Sequence, residues 1–145
     1  MSKINSLVGI DETDLKLIWM LMSSPANKNN KQMSTILRIS LSTFQRRLRN
    51  LIEKGVIVST FKVNYEKIGY RKGLIHVYKM DGNSKEIIKT ISKLEGITSV
   101  ETHIGDSDIL VSVIYKMSSD LSDIINGIKH IGGIKGVTWS ERMPG

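Results

Sequence analysis

The fold of the first part of this chain is set by residues 40–57, which read SLSTFQRRLRNLIEKGVI. Placed on a helix, the apolar side chains of this stretch recur at the i, i+3/i+4 and i+7 spacing of a single face, which carries Leu41, Phe44, Leu48, Leu51 and Ile52. Ser40 can accept hydrogen bonds from the free N–H groups at the start of such a helix, and Gly55 suits the left-handed conformation just past its end. The stretch therefore predicts an amphipathic helix with defined ends.

The opposite face of this helix is polar and basic. In the DNA major groove, arginine reads guanine, glutamine and asparagine read adenine, and serine or threonine adapts to either. We expect five side chains to read bases: Ser42, Thr43, Gln45, Arg46 and Arg49. Four nearby cations are better placed for DNA phosphates, which position a protein without specifying sequence: Lys28, Lys31, Arg38 and Arg47. A solvated basic surface is the plain alternative to both roles.

The positive charge of the chain is concentrated around this helix. The net charge is +7, and residues 1–65 hold 10 Lys and Arg against 4 Asp and Glu, whereas residues 66–145 hold 11 against 10. A basic first module followed by a nearly neutral second one favours a nucleic-acid partner for the first. The chain has no cysteine, no apolar run that could span a membrane and no signal-peptide core. We therefore expect a folded, cytoplasmic protein without disulfides.

Two further helices are predicted before residue 40. Asp11 and Asp14 form a capping-box pattern at the start of the first, on which Trp19 is expected to face the core because packing explains its spacing. Residues 31–37 predict a second helix with Ile36 facing inward, after a polar turn. Three helices, of which the last two are joined by a tight turn, describe a helix-turn-helix unit.

The rest of the chain alternates between strand and helix patterns. Residues 56–63 have β propensity and predict a short hairpin or connecting strand. Ser84 and Ser118 are the expected caps of two later helices. The elements beyond residue 70 are predicted in the order βαββαβ, at residues 73–80, 85–94, 97–104, 109–116, 118–130 and 134–141. This order is that of a ferredoxin-like domain.

Together these motifs resemble the Lrp/AsnC family of transcriptional regulators, which are leucine-responsive regulatory protein-like. The segments that carry the resemblance are residues 10–18, 41–57, 94–97, 105–110 and 134–137. The resemblance implies an α+β protein with three parts: a helix-turn-helix DNA-binding domain at residues 1–57, a connecting strand and linker at residues 58–70, and a ferredoxin-like (RAM-type) dimerisation and regulatory domain at residues 71–145. It implies a sequence-specific regulator of double-stranded DNA, acting as a homodimer or as a tetramer or octamer. Arg38 stands where the family usually has glycine, which predicts a strained turn or an added phosphate contact.

The resemblance also implies a small-molecule amino-acid effector near the loop at residues 105–108. Gly105, Asp106 and Asp108 are the candidate effector-binding residues, since a carboxylate could hold the ligand's ammonium group. No base in the loop could hold the ligand's carboxylate, and Ser107 stands where the family usually carries a bulky residue. The sequence therefore favours DNA binding without an effector, and an ordinary turn between strands is the favoured explanation of the aspartates.

No catalytic, cofactor or metal motif is present. The chain has no nucleotide-binding glycine motif, zinc pattern or nucleophile signature, and His76, His103 and His130 lack the spacing of metal ligands. We therefore expect neither an enzyme nor a cofactor. Two alternatives to a regulator stay open: an architectural DNA-compacting protein of low specificity, and a stand-alone amino-acid-sensing module or enzyme built on the ferredoxin-like domain.

Overall fold

Three helices form the first of two units in this protein. The computed structural model describes residues 9–23, 28–80 and 83–143, and the chain separates into units at residues 1–61 and 62–145. The helices of the first unit are α1 (Glu12–Ser23), α2 (Asn30–Leu37) and α3 (Leu41–Glu53). Parts of two predicted turns, residues 24–27 and 81–82, lie outside the described residues.

Side-chain caps set the start of each of these helices. At α1 the backbone N–H of Asp14 donates to Asp11 Oδ1 (2.8 Å), and the N–H of Asp11 donates to Asp14 Oδ2 (3.2 Å), as the capping-box pattern predicts. At α2 the same reciprocal pair forms between Asn29 and Gln32, at 2.9 and 3.0 Å.

Fewer apolar side chains are buried in the core of the first unit than the apolar patterns predict. Its buried side chains are Ile10, Leu17, Met33, Phe44 and Leu51. The placement of Trp19 in the core is wrong, since its side chain is 64% exposed, and so is that of Ile36 at 53%. Trp19 lies about 200° around the helix from Leu17, because each residue advances about 100°, so only one of the two can face a small three-helix core. Leu41 and Ile52, at the edges of the apolar face of α3, are exposed for the same reason.

The predicted hairpin or strand at residues 56–63 does not form within the chain. All of residues 54–70 are described, and none lies in a strand; a short 3₁₀ helix, Tyr65–Ile68, precedes the second unit. Val58 is 74% exposed and Phe61 fully exposed. A β-prone segment forms a strand only where another strand can take up its hydrogen bonds, and no strand among the described residues pairs with this segment.

The second unit has the predicted βαββαβ order. Its elements are β1 (Arg71–Lys79), α4 (Ser84–Ser92), β2 (Ile97–Thr102), β3 (Ile109–Tyr115), α5 (Ser118–Lys129) and β4 (Ile134–Glu141). The four strands form one antiparallel sheet in the order β2-β3-β1-β4. The α+β class and both predicted domain folds are confirmed.

Both helix caps predicted for this unit are wrong by one residue. Asn83 caps α4, its Oδ1 accepting from the backbone N–H of Lys85 at 3.0 Å. At α5 the N-cap position is Met117, one residue before Ser118, and its backbone N–H donates to the carboxylate of Asp120 at 2.8 Å. Asparagine competes well with serine as an N-cap residue, so a serine at the start of a helix does not alone identify the cap.

One face of the sheet is covered by the two helices and the other is open. Alternate residues of β1 and β3, such as Ile75, Val77, Val111 and Val113, are buried against the helices. The opposite face of β1 carries Leu74, which is 40% exposed. Among the described residues, no helix is long and apolar enough to cross a membrane.

Candidate nucleic-acid interface

A cluster of three hydroxyl groups caps the N-terminus of α3. The backbone N–H of Thr43 donates to Ser40 Oγ (3.1 Å), and Ser40 Oγ donates to Thr43 Oγ1 (2.8 Å). Ser42 Oγ lies 3.1 Å from Ser40 Oγ. At the other end, Gly55 has φ +70°, the left-handed conformation predicted for it. The two ends of the helix are therefore where the sequence places them.

The structure brings the five predicted base-reading residues to one side of α3. At about 100° per residue they span an arc of about 160°, with Phe44 and Leu51 buried on the far side. Ser42, Gln45, Arg46 and Arg49 are exposed, whereas Thr43 is half-buried beside the cap. An arginine-rich, exposed arc on a helix fixed by its own core can enter a groove without disturbing the fold.

Three of the four predicted phosphate-binding cations are exposed. Lys28 and Lys31 flank the start of α2, and Arg38 ends it. Arg38 has φ +57°, a left-handed conformation that glycine tolerates and other residues rarely adopt. Its backbone N–H donates to the carbonyl of Thr35 at 3.1 Å, which closes the end of α2. The strained turn predicted at Arg38 is therefore observed.

The fourth cation, Arg47, is engaged inside the first unit. Its Nη1 donates to Asp11 Oδ2 (2.7 Å) and to Asp14 Oδ1 (2.9 Å), and its side chain is 22% exposed. The hydrogen bond from Arg47 to Asp11 holds the pKa of the Asp11 carboxyl below its ordinary value. The phosphate contact predicted for Arg47 stays a prediction, and it would have to compete with these two carboxylates. Sequence analysis missed the pairing because Asp11 and Asp14 were fully explained as a helix start.

Two residues of the candidate effector loop, Ser107 and Asp108, are held by hydrogen bonds to β1. Asp108 Oδ2 accepts from the backbone N–H of Lys79 at 2.9 Å, and the buried Ser107 Oγ lies 3.1 Å from His76 Nδ1. Gly105 has φ +135° and is exposed, as is Asp106. Of the two candidate carboxylates, Asp106 is the one not committed to the protein backbone.

The described residues contain no group of three or more side chains that could hold a metal ion. His103 lies beside Glu101 (3.4 Å), and His130 Nδ1 lies 2.6 Å from the carbonyl of Asn126. His76 contacts Ser107, as described above. The three histidines therefore have separate, local contacts.

Comparison with known proteins identifies the family. A family model described as winged helix-turn-helix DNA-binding matches residues 10–58, which include α1, α2 and α3. The HTH-type transcriptional regulator LrpA of Pyrococcus abyssi is 32% identical over 133 residues, covering 89% of this chain and 91% of LrpA. The chain belongs to the Lrp/AsnC family of transcriptional regulators.

Solved structures of other Lrp/AsnC-type regulators share the fold over nearly the whole chain. E. coli AsnC superposes with a TM-score of 0.69 at 18% identity, over 94% of this chain and 93% of AsnC. A transcriptional regulator from Neisseria meningitidis, solved in complex with L-Met, superposes with a TM-score of 0.73 at 18% identity, over 93% and 90% of the two chains. This Lrp/AsnC family member is a DNA-binding transcriptional regulator.

Proposed function

We propose that this regulator recognises specific sequences in double-stranded DNA by placing α3 in the major groove. The observation that carries the proposal is the exposed arc of α3, which combines Ser42, Gln45, Arg46 and Arg49 on a helix capped at both ends. Two arginines offer the bidentate donors that guanine O6 and N7 accept, and Gln45 offers the donor and acceptor that adenine requires. Thr43 belongs to this set, although its hydroxyl also serves the cap.

Phosphate contacts are assigned to the cations that flank the arc. Lys28, Lys31 and Arg38 are exposed and lie at the two ends of α2. Their contacts hold the helix-turn-helix unit against the backbone and contribute the sequence-independent, salt-dependent part of the affinity.

We infer that the regulator acts as a homodimer formed by its second unit. The pairing register puts Leu74, Leu110 and Ile114 on the sheet face that the helices leave open. This unit is nearly neutral, so two copies can associate without strong charge repulsion. In a two-fold dimer the two α3 helices would meet half-sites about 34–36 Å apart, one turn of DNA, or a multiple of that distance.

We infer that DNA binding does not require an amino-acid effector. Asp108 and Ser107 are used within the fold, which leaves Asp106 to hold an ammonium group and no base in the loop to hold a carboxylate. The neisserial relative was solved with L-Met, so methionine is the first ligand to test. Calorimetric titration with each common amino acid, with and without DNA, should detect no ligand that changes DNA affinity several-fold. A several-fold change that is lost in Asp106→Ala would contradict this inference.

Sequence specificity is tested by selection from randomised duplexes. Binding to the selected duplex should exceed binding to random duplex of the same length by about 10³ or more. Arg46→Ala should lower affinity for the selected duplex about ten-fold or more while changing random binding little. The matched control is Lys16→Ala on α1, which also removes one exposed cation, and it should not change the ratio of the two affinities. A wild-type ratio near one would instead indicate an architectural DNA-compacting protein.

A further inference from the structure

Arg47 joins the helix proposed to read DNA to the N-terminal segment of the first unit. A single nitrogen, Nη1, bridges the carboxylates of Asp11 and Asp14, at 2.7 and 2.9 Å. Both carboxylates belong to the start of α1, more than 30 residues away in sequence. The contact therefore fixes α3 relative to α1 at a place outside the apolar core.

A second hydrogen bond joins the same two segments two turns further along. Lys54 Nζ donates to the carbonyl oxygen of Gly9 at 3.1 Å. Lys54, the C-cap of α3, follows Arg47 by seven residues and keeps a helical conformation, so the two side chains point to the same flank, about 10 Å apart along the helix axis. We call residues 9–14, with Arg47 and Lys54, the N-terminal clasp. Two attachments on one flank resist rotation of the helix about its own axis.

The contribution of the Arg47 ion pair to folding stability does not by itself explain why the pair is present. Arg47 Nε is a buried side-chain nitrogen that has no hydrogen-bond partner among the described residues. A buried donor left unpaired is costly, and removing charges from water offsets much of what an ion pair contributes. In some proteins, buried polar or ionic contacts instead select one packing arrangement over competing ones.

Base reading is sensitive to the rotation that the clasp would restrain. Side-chain tips stand about 5–6 Å or more from a helix axis, so a turn of about 10° moves them by about 1 Å. Hydrogen bonds to bases tolerate only a smaller displacement, since N–H···O distances cluster between about 2.7 and 3.2 Å. Phosphate contacts made by long, flexible lysine side chains tolerate a displacement of this size.

We propose that Arg47 is a positioning residue for DNA specificity, which sets the rotation of α3 through the N-terminal clasp and does not itself contact DNA. The inference rests on the proposed function, because it concerns how the base-reading arc is aimed. It predicts that loosening the clasp lowers the preference for the selected duplex over random duplex more than it lowers the affinity for random duplex.

The first test compares Asp11→Asn with Glu12→Gln in the full chain. Asparagine still caps α1, so folding is preserved while one of the two negative charges facing Arg47 is removed. Glu12→Gln removes a neighbouring carboxylate whose partner, Lys16 at 3.1 Å, lies on α1 itself. Asp11→Asn should lower the ratio of selected to random affinity about five-fold, whereas Glu12→Gln should leave it unchanged. A ratio unchanged in Asp11→Asn, or lowered equally by both, would overturn the inference.

The second test separates positioning from phosphate binding. Arg47→Gln should lower the selected-to-random ratio while leaving the salt dependence of random-duplex binding unchanged. A phosphate contact would instead reduce the slope of log affinity against log salt by about 0.9 and leave the ratio intact, which would overturn the inference. A wild-type protein with no preferred duplex would overturn the proposed function and this inference together, whereas a preserved wild-type preference with an unaltered ratio in both variants would overturn the inference alone.

Discussion

Replacing Arg38 by glycine should make the protein more stable and a weaker DNA binder at once. Arg38 holds a left-handed conformation (φ +57°) at the end of α2. This conformation costs a non-glycine residue about 1–2 kcal/mol. Glycine removes that cost but adds about 0.4–1 kcal/mol of backbone freedom to the unfolded chain. The net increase in unfolding free energy should therefore be about 0.8 kcal/mol, the difference between the middle values of these two ranges.

Arg38→Ala is the matched control, because alanine keeps the Cβ atom and removes the charge. Its unfolding free energy should stay close to that of wild type, while Arg38→Gly should be higher in the same denaturant titration. Both variants should show a slope of log affinity against log salt that is shallower by about 0.9, the loss of one phosphate contact. Equal stabilities for Gly and Ala would refute the strain, and an unchanged slope in both would refute the phosphate contact.

Three further outcomes follow from the same structure. Lys31→Ala should weaken binding to all duplexes alike and lower the salt slope by about 0.9, whereas Arg46→Ala should weaken binding to the selected duplex in particular; filter binding at several salt concentrations distinguishes them. Burial and a hydrogen bond to Glu141 raise the pKa of Tyr115. The neutral tyrosine therefore contributes stability that is complete below about pH 10 and is lost above it, so unfolding free energy should fall more steeply from about pH 9 to 11 in wild type than in Tyr115→Phe. Leu74→Lys, on the open sheet face, should shift full-length protein from dimer to monomer in sedimentation at micromolar concentration; a wild-type monomer would contradict the proposed dimer.

Local patterns in the sequence were sufficient to predict most elements of the fold. The cap at Ser40, the stop at Gly55 and the reciprocal pair of Asp11 and Asp14 all depend on residues within a few positions of each other. Strand β4 was predicted at its observed bounds, since alternation and a preceding glycine pair mark it clearly. Interactions of this range can be predicted from a single sequence.

The features that the sequence did not predict depend on interactions between distant parts of the chain. The exposure of Trp19 depends on which side of α1 meets α3, and an apolar pattern that runs around the helix does not indicate that side. The partners of Arg47 are equally remote, so its position on the flank of α3 was consistent with a phosphate contact. The segment at residues 56–63 has strand propensity, but no strand in the described part of the chain pairs with it, and propensity alone does not reveal this.

The central claim, that the exposed arc of α3 reads bases in the major groove, is tested most directly by methylation interference. Methylation of guanine N7 blocks the atom that arginine contacts in the major groove. Wild-type protein should fail to bind selected duplexes methylated at particular guanines within each half-site. Arg46→Ala should lose sensitivity at one of those guanines and keep it at the others. Wild-type binding that is indifferent to N7 methylation throughout the site would contradict the claim.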